Sequence, residues 1–360
     1  MKNIIKIVIV MLTSISMYAS AAYAGDLKVT GTAKATYNMR SGHSQNAGQG
    51  IGVANEINFI AAGDTALGKW AYKMALDPAD GSVAGTGGNA LNDDTTLTLA
   101  MPTGTIGFFI LDGGLSRQNA ASQSVYGRPT DIGDPSGVTN SPDIDGYNNI
   151  QYHTPAGLLP LGIQGKVAYA PQLDDTNNSA NAAGAVNTKS ATNLGDKALM
   201  YQVTTTPIAG LTIGADYIEF KNGGTGVAAS TAQQQEAGSI SASYATGPVK
   251  VGYSESRFST GLGTATVTAT PTTAEWYDQD NMSVAFAVNK DLSLSYEVER
   301  SEKHMTDKAT ANVRQKSSAV QAAYTMGGMS LAVSHGSYKN ISYTNAANAN
   351  QTLFAVTMAF

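Results

Sequence analysis

The residues of this 360-residue chain best suited to metal binding or general-base work are His43, His153, His304 and His335. They are scattered, and no H-x-x-x-H spacing puts two of them side by side as zinc ligands. A Ser/His hydrolase on a sheet needs both groups at one height, and His335 is the only histidine placed to offer that. The run Asp174-Asp175-Thr176-Asn177-Asn178 gathers hard oxygen donors that suit Ca²⁺, though it also reads as an ordinary polar loop. Glycine-rich stretches occur, but none lies between a strand and a helix as a phosphate loop would. No catalytic residue, no cofactor site and no metal site is therefore expected. What remains is electrostatic. Lys34, Lys73, Lys166 and Lys250 stand at the polar positions of alternating segments, and acids gather in one long aperiodic stretch, Asp112 to Tyr147.

The elements that position these charges alternate apolar and polar. The last ten residues, Gln351 to Phe360, put Thr352, Phe354, Val356, Met358 and Phe360 on one face. Leu353, Ala355, Thr357 and Ala359 lie on the other, which is the period of a β-strand. A terminus frays unless something ties it down, so strict alternation up to a final aromatic marks this strand as the one to build around. Fifteen further segments of the same kind precede it, from Leu27–Tyr37 through Leu331–Val333. Their connections alternate between roughly ten to thirty-five polar residues and roughly two to six, the asymmetry of a membrane-spanning barrel. Ser41 to Gly50, Ala180 to Lys189 and Gly261 to Thr273 are then expected outside the cell. The fold class is all-β: a transmembrane antiparallel barrel of about 16 strands, with both termini on the periplasmic side.

Residues 1–24 resemble a secretory signal peptide. Lys2 and Lys6 precede a short apolar run, and Ala22-Tyr23-Ala24 supplies small residues for cleavage before Gly25. The run is too short to span roughly 30 Å of hydrocarbon. The expected domains are thus 1–24, a signal peptide, and 25–360, the barrel. Removing Lys2 and Lys6 and no acid leaves 20 basic against 27 acidic residues, a net charge of −7, which argues against nucleic acid as a partner. The absence of cysteine suits a long chain that closes a sheet rather than stapling a small core. Mean hydropathy is only −0.13, because averaging a lipid-facing and a water-facing side hides the membrane signal.

At Tyr147 a family resemblance becomes specific. Tyr147-Asn148-Asn149-Ile150-Gln151-Tyr152-His153-Thr154-Pro155 is similar to the N-S-x-x-Y-x-(S/T)-P strand of trimeric general diffusion porins of Gram-negative outer membranes. Gly63-Asp64-Thr65-Ala66-Leu67-Gly68-Lys69 resembles that family's first periplasmic turn, and Phe360 fits its terminal aromatic. Two features depart from it. Asp145-Gly146-Tyr147 stands where an arginine is usual, and the Pro-Glu-aromatic-Gly signature of the constriction loop is missing.

The resemblance implies a water-filled channel for passive diffusion of small hydrophilic solutes and ions. It also implies a homotrimer in outer-membrane lipid, and recognition of Phe360 as an assembly signal by the barrel-assembly machinery. It places an inward-folded constriction loop after strand five, carrying Arg117, Arg128, Asp131, Asp134, Asp143 and Asp145 and facing Lys34 and Lys73 across the lumen. Opposed rows of charge there would favour dipolar solutes. A solute-specific porin would add an aromatic track along the polar faces, and a structural or adhesive barrel would have a plugged lumen. The aromatics Tyr37, Trp70, Tyr72, Tyr169, Tyr217, Tyr244, Tyr253 and Phe360 read as girdles at the two interfaces. Gly31, Ala33 and Ala35 suit close packing against a neighbouring subunit.

Overall fold

A computed structural model describes residues 26–42, 47–76, 93–132, 137–171, 173, 197–221, 231–263, 274–308 and 310–360. Residues 1–24, Asp134, Asp174–Asn178 and the Ala180–Lys189 loop lie outside the described residues, as do most of Gly261–Thr273.

Sixteen strands form one closed barrel. They are β1 (Asp26–Gly42), β2 (Gly48–Thr65), β3 (Gly68–Leu76), β4 (Asp93–Met101), β5 (Gly104–Ile110) and β6 (Asn149–His153). Next come β7 (Gln164–Ala170), β8 (Lys197–Ile208), β9 (Leu211–Lys221), β10 (Glu236–Thr246) and β11 (Val249–Ser259). The ring is completed by β12 (Ala274–Ala287), β13 (Leu292–Met305), β14 (Val313–Met326), β15 (Met329–Lys339) and β16 (Ala349–Ala359). Each strand pairs antiparallel with its sequence neighbours, and β1 pairs with β16. Two long-loop segments, Thr231–Gln233 and Leu262–Gly263, add a small separate sheet.

The alternation sorts the two faces. Val53, Phe108, Tyr152, Tyr201, Ile240, Val284, Tyr296, Val320 and Phe354 point outward and stay exposed around the ring. A contiguous apolar belt of that extent needs lipid to cover it. The residues between them turn inward, as Ser239, Ser241, Ser254, Ser283, Ser295, Glu297, Gln321 and Gln351 do, and are buried. Tyr37, Tyr217, Tyr244, Tyr253 and Phe360 of the expected girdles are exposed on the outer face.

Two connections differ from the sequence pattern. Strand pairing reaches into the first stretch expected as a long loop, since β1 runs on to Gly42 and β2 already starts at Gly48. Main-chain hydrogen bonds carry this extension and need no apolar side chain: Arg40, Asn38 and Thr36 pair with Gly48, Gly50 and Gly52. On the opposite end, residues 154–163 form a ten-residue connection with a 3₁₀ turn at Pro160–Gly162, not a tight turn. Leu158, Leu159 and Leu161 are exposed on it.

Closure runs to the final residue. Phe360 N–H donates to the Gly31 carbonyl (3.0 Å), and Gly31 N–H donates to the Phe360 carbonyl (2.9 Å). The space above Gly31 is filled by the Phe360 ring of the same chain: a Cβ there would stand 2.6 Å from both Phe360 Cζ and the Glu56 carbonyl oxygen. Gly31→Val should therefore lower the fraction of heat-modifiable, folded barrel on gels. The same substitution at Gly50, where a Cβ meets nothing within 4 Å, should leave it unchanged.

Candidate pore constriction

Between β5 and β6, the described residues 111–132 and 137–148 turn into the barrel and follow its inner wall. Gln151 Nε2 donates to the Gly113 carbonyl at the stem (2.5 Å), and Gln202 Nε2 of β8 donates to that of Leu115 (2.7 Å). Arg117 N–H then donates to Asp216 Oδ2 of β9 (2.5 Å), and Arg117 Nε to Ser241 Oγ of β10 (3.3 Å). Ser254 of β11 donates to the Gln118 carbonyl, and Gln123 N–H donates to Ser283 Oγ of β12 (3.0 Å). Farther on, Val125 N–H donates to Ser295 Oγ of β13 (3.0 Å) and Tyr126 N–H to Gln321 Oε1 of β14 (3.1 Å). Tyr338 Oη of β15 donates to the Pro129 carbonyl (3.0 Å), and Gln351 Nε2 of β16 to that of Ile132 (2.5 Å). Nine consecutive strands, β8 to β16, thus hold the segment from one side.

Short side chains permit this. Serines recur on the wall because a hydroxyl on one carbon can meet a backbone lying close against the sheet. At Gly252 even a methyl group is too much: a Cβ would stand 1.7 Å from the Ala121 carbonyl oxygen. Apolar packing holds the stem. Leu115 and Ile144 join Ala168, Met200, Ile218 and Phe220 in a buried cluster on the inner face of β7 to β9. Burial of each of the larger side chains, Leu115, Ile144, Met200, Ile218 and Phe220, stabilises the fold by about 1.5–3 kcal/mol. A second cluster, Tyr338, Ile341, Ala347 and Ala349, lies where the last long loop meets the far end of the segment.

The charged groups are arranged as follows. Arg128 is held between Glu299 (2.7 Å) and Asp131 (2.5 Å). Burial works against its charge, but Glu299 and Asp131 more than offset this and raise its pKa. Burial lowers the Arg117 pKa, with Asp216 opposing. Ser122 and Ser124 both donate to Glu297, whose residue is fully buried. Asp143 accepts from the backbone N–H groups of Leu115 (2.8 Å), Ser116 (2.9 Å) and Ile144 (2.6 Å), so it acts as the clasp of the stem. Asp145 has an exposed edge but is hemmed in by the stem. Desolvation, joined by the charges of Asp143, Asp112 and Asp94, pushes its pKa up to about 6, with a Gly146 backbone hydrogen bond opposing.

Of the residues singled out in the sequence, Arg117, Arg128, Asp131 and Asp143 all lie on the inward segment. Lys34 approaches it from the bare side, with Nζ 6.0 Å from the centre of the Tyr126 ring. Lys73 lies on the inner face of β3, away from the strands that hold the segment. The acids do not form a free row: Asp131 is tied to Arg128 and Asp143 to backbone N–H groups. The wall acids Asp216, Glu297 and Glu299 were not anticipated. Alternation alone places the glutamates inward, since Leu294 and Tyr296 face out. Met200, Ile218 and Phe220 on the inner face also escaped notice, because an apolar residue at a polar position looks like noise until the stem packs on it. His335, the residue considered for a Ser/His pair, faces outward and bonds Thr352 Oγ1 at 2.9 Å.

A closed sheet with an apolar exterior, a polar interior and an ordered segment laid along its inner wall defines a channel-forming barrel of the outer membrane. The chain belongs to the Gram-negative porin family, whose profile matches residues 11–360. It is an outer-membrane porin. Among solved structures, OmpF of Salmonella typhi in complex with daunomycin is 14% identical with a TM-score of 0.62, covering 93% of this chain and 98% of that one. The anion-selective porin of Comamonas acidovorans is 11% identical with a TM-score of 0.59, covering 93% and 100%. OmpT of Vibrio cholerae, in its in-vitro folded trimer form, is 13% identical with a TM-score of 0.58, covering 94% and 100%. At these identities the likeness is one of fold. No curated protein sequence matches the chain.

Two outcomes follow from the docked segment. Gly252→Val should push Ala121 off the wall and change single-channel conductance in a planar bilayer without lowering the yield of folded barrel. Protonation of Asp145 is favoured in the folded state because its pKa is raised, so its cost to the folded stem is present above about pH 6 and relieved below it. Acidification from pH 7.5 to 5 should remove one negative charge at the stem and move reversal potentials toward anions. Asp145→Asn should reduce that shift.

Proposed function

We propose that the 111–148 segment is the constriction of a general diffusion pore, admitting small hydrophilic solutes and ions by size and charge. The observation that carries this reading is the run of hydrogen bonds from β8 to β16, which together with the stem contacts on β5 to β7 holds the segment inside the ring and leaves the passage beside β1 to β4. A barrel of this size has a lumen too wide for its own side chains to fill, so whatever narrows it sets the selectivity. In this reading Lys34 and Lys73 face the segment across the remaining opening. Arg117, Arg128, Asp131, Asp143 and Asp145 shape the opposite side. The protein acts as a passive channel rather than an enzyme.

Assembly is part of the same proposal. Residues 1–24 serve as a cleaved signal peptide, Phe360 is read by the barrel-assembly machinery, and the mature porin works as a homotrimer. A trimer form is recorded for the Vibrio cholerae OmpT neighbour. Phe360→Ala should lower the folded, membrane-inserted fraction while leaving secretion intact.

Single-channel recording with salt gradients tests the pore reading. Deleting part of Ser122–Ser141 should raise conductance, and Lys34→Glu combined with Lys73→Glu should shift reversal potentials toward cations. Unchanged conductance after the deletion would place the constriction elsewhere. A strongly saturating flux with one sugar or amino acid would favour a solute-specific porin.

A further inference from the structure

On the outside of the barrel, toward the long-loop end of β11 to β14, the lipid-facing pattern gives way to charge. Asp278 lies four residues, roughly 13 Å, above Met282 on the same outward face of β12. The register sets Asp278 directly opposite Glu302 of β13, and Trp276 opposite His304. Like charges placed directly opposite in a sheet repel, so this pair needs a cation between or beside it. Glu302 meets part of that need through Arg314, its partner on β14, whose Nε and Nη2 both donate to Oε2 (2.8 and 2.7 Å). Its other oxygen, Oε1, is left toward His304 Nε2, 3.8 Å away. Asp278 has Arg257 as its neighbour on β11, but that guanidinium lies over the Trp276 ring, 4.0 Å from its centre. Asp278 Oδ1 instead stands 3.2 Å from His304 Nε2.

The histidine itself is held in place. Its ring stacks on Trp276 with centroids 3.3 Å apart and planes 8° from parallel. The Asn312 side-chain amide lies 2.8 Å from Nδ1 on the other edge. The amide nitrogen faces Nδ1 while its oxygen accepts from the Met305 N–H (3.4 Å), so in the empty site the ring proton sits on Nε2 and is donated to Asp278. A bound cation takes the place of that proton, and a turn of the Asn312 amide then lets its oxygen accept Nδ1–H. One imidazole nitrogen and two carboxylate oxygens, all within 4.8 Å of one another, then converge on one point. Beside them a cleft of about 190 Å³, bounded by Glu255, Asp280 and Arg300, has room for water as a further ligand.

We propose that Asp278, Glu302 and His304 form a binding site for a divalent cation of the zinc class on the outer wall of the porin. Imidazole with two carboxylates and an open position suits that class better than magnesium, which prefers an all-oxygen octahedron. The bound cation ties β12 to β13 above the apolar belt and relieves the Asp278–Glu302 repulsion. The site faces away from the lumen, so it stands independently of the constriction reading.

Calorimetric titration of the detergent-solubilised, EDTA-stripped porin with ZnCl₂ tests the assignment. One Zn²⁺ should bind per chain, with MgCl₂ at least about ten-fold weaker. His304→Ala and Asp278→Asn should each weaken Zn²⁺ by about ten-fold or more, while His335→Ala, another outward-facing histidine, should leave it unchanged. A second readout reports the local geometry. In a Trp70→Phe background Trp276 is the sole tryptophan, and Co²⁺ should quench its emission in a saturable way that His304→Ala abolishes. Absence of saturable Zn²⁺ binding would overturn the site. Binding that survives both substitutions unchanged would overturn it equally.

Discussion

The constraint behind this structure is that hydrocarbon offers a peptide group no hydrogen-bond partner. Each strand must therefore be bonded on both sides, and a sheet with loose edges cannot lie in a bilayer. β1 and β16 meet that demand by pairing from Thr32–Ala359 to Gly42–Ala349. The two bonds between Gly31 and Phe360 extend the seam by one residue. Gly31 is small because an aromatic ring must lie across it. The terminal phenylalanine thus belongs to the seam as well as to the outer face, where two thirds of its surface is exposed.

The same demand, transferred to the interior, explains how the 111–148 segment is held. A loop inside a channel would expose peptide groups to a narrow water column. Here many of them bond instead to serine, glutamine and carboxylate groups of the wall. Glu297 and Glu299 sit side by side on this wall, with the Asn281 amide donating to both. Arg128 counters their charge, while Ser122, Ser124 and Thr130 add donors. Removing one member of such a network leaves a buried carboxylate short of partners, a far larger cost than losing one exposed ion pair.

Much of this was legible in the residues. All sixteen strands and their facing follow from alternation, because lipid on one side and water on the other impose opposite demands on neighbouring positions. The strands run farther than the alternation shows. β12 begins eight residues before Met282, and in that stretch the outward positions are Trp276, Asp278 and Asp280. Above the hydrocarbon the outer face meets a polar layer, so the contrast between faces fades while the main-chain pairing continues. The partners of the loop charges were less legible. Arg128 and Glu299 are 171 positions apart, and nothing local in the sequence brings them together. Asp143 looked like a pore acid, yet its oxygens close the stem. A carboxylate's role depends on which N–H groups reach it, and that is set by the fold.

The lopsided attachment of the inner segment divides the barrel into two halves with different histories open to them. The half from β8 to β16 is a mating surface: enlarging Gly252, Ser254 or Ser283 displaces a backbone, so substitutions there are filtered by fit. The strands β1 to β4, beyond the stem contacts on β5 to β7, line the passage on its open side, where side chains have room to lengthen, shorten or change sign. Drift in what the channel admits should accumulate on that crescent, while the opposite wall stays conserved in size. Two homologues with different solute preferences could then share nearly the same serine-rich surface behind the loop.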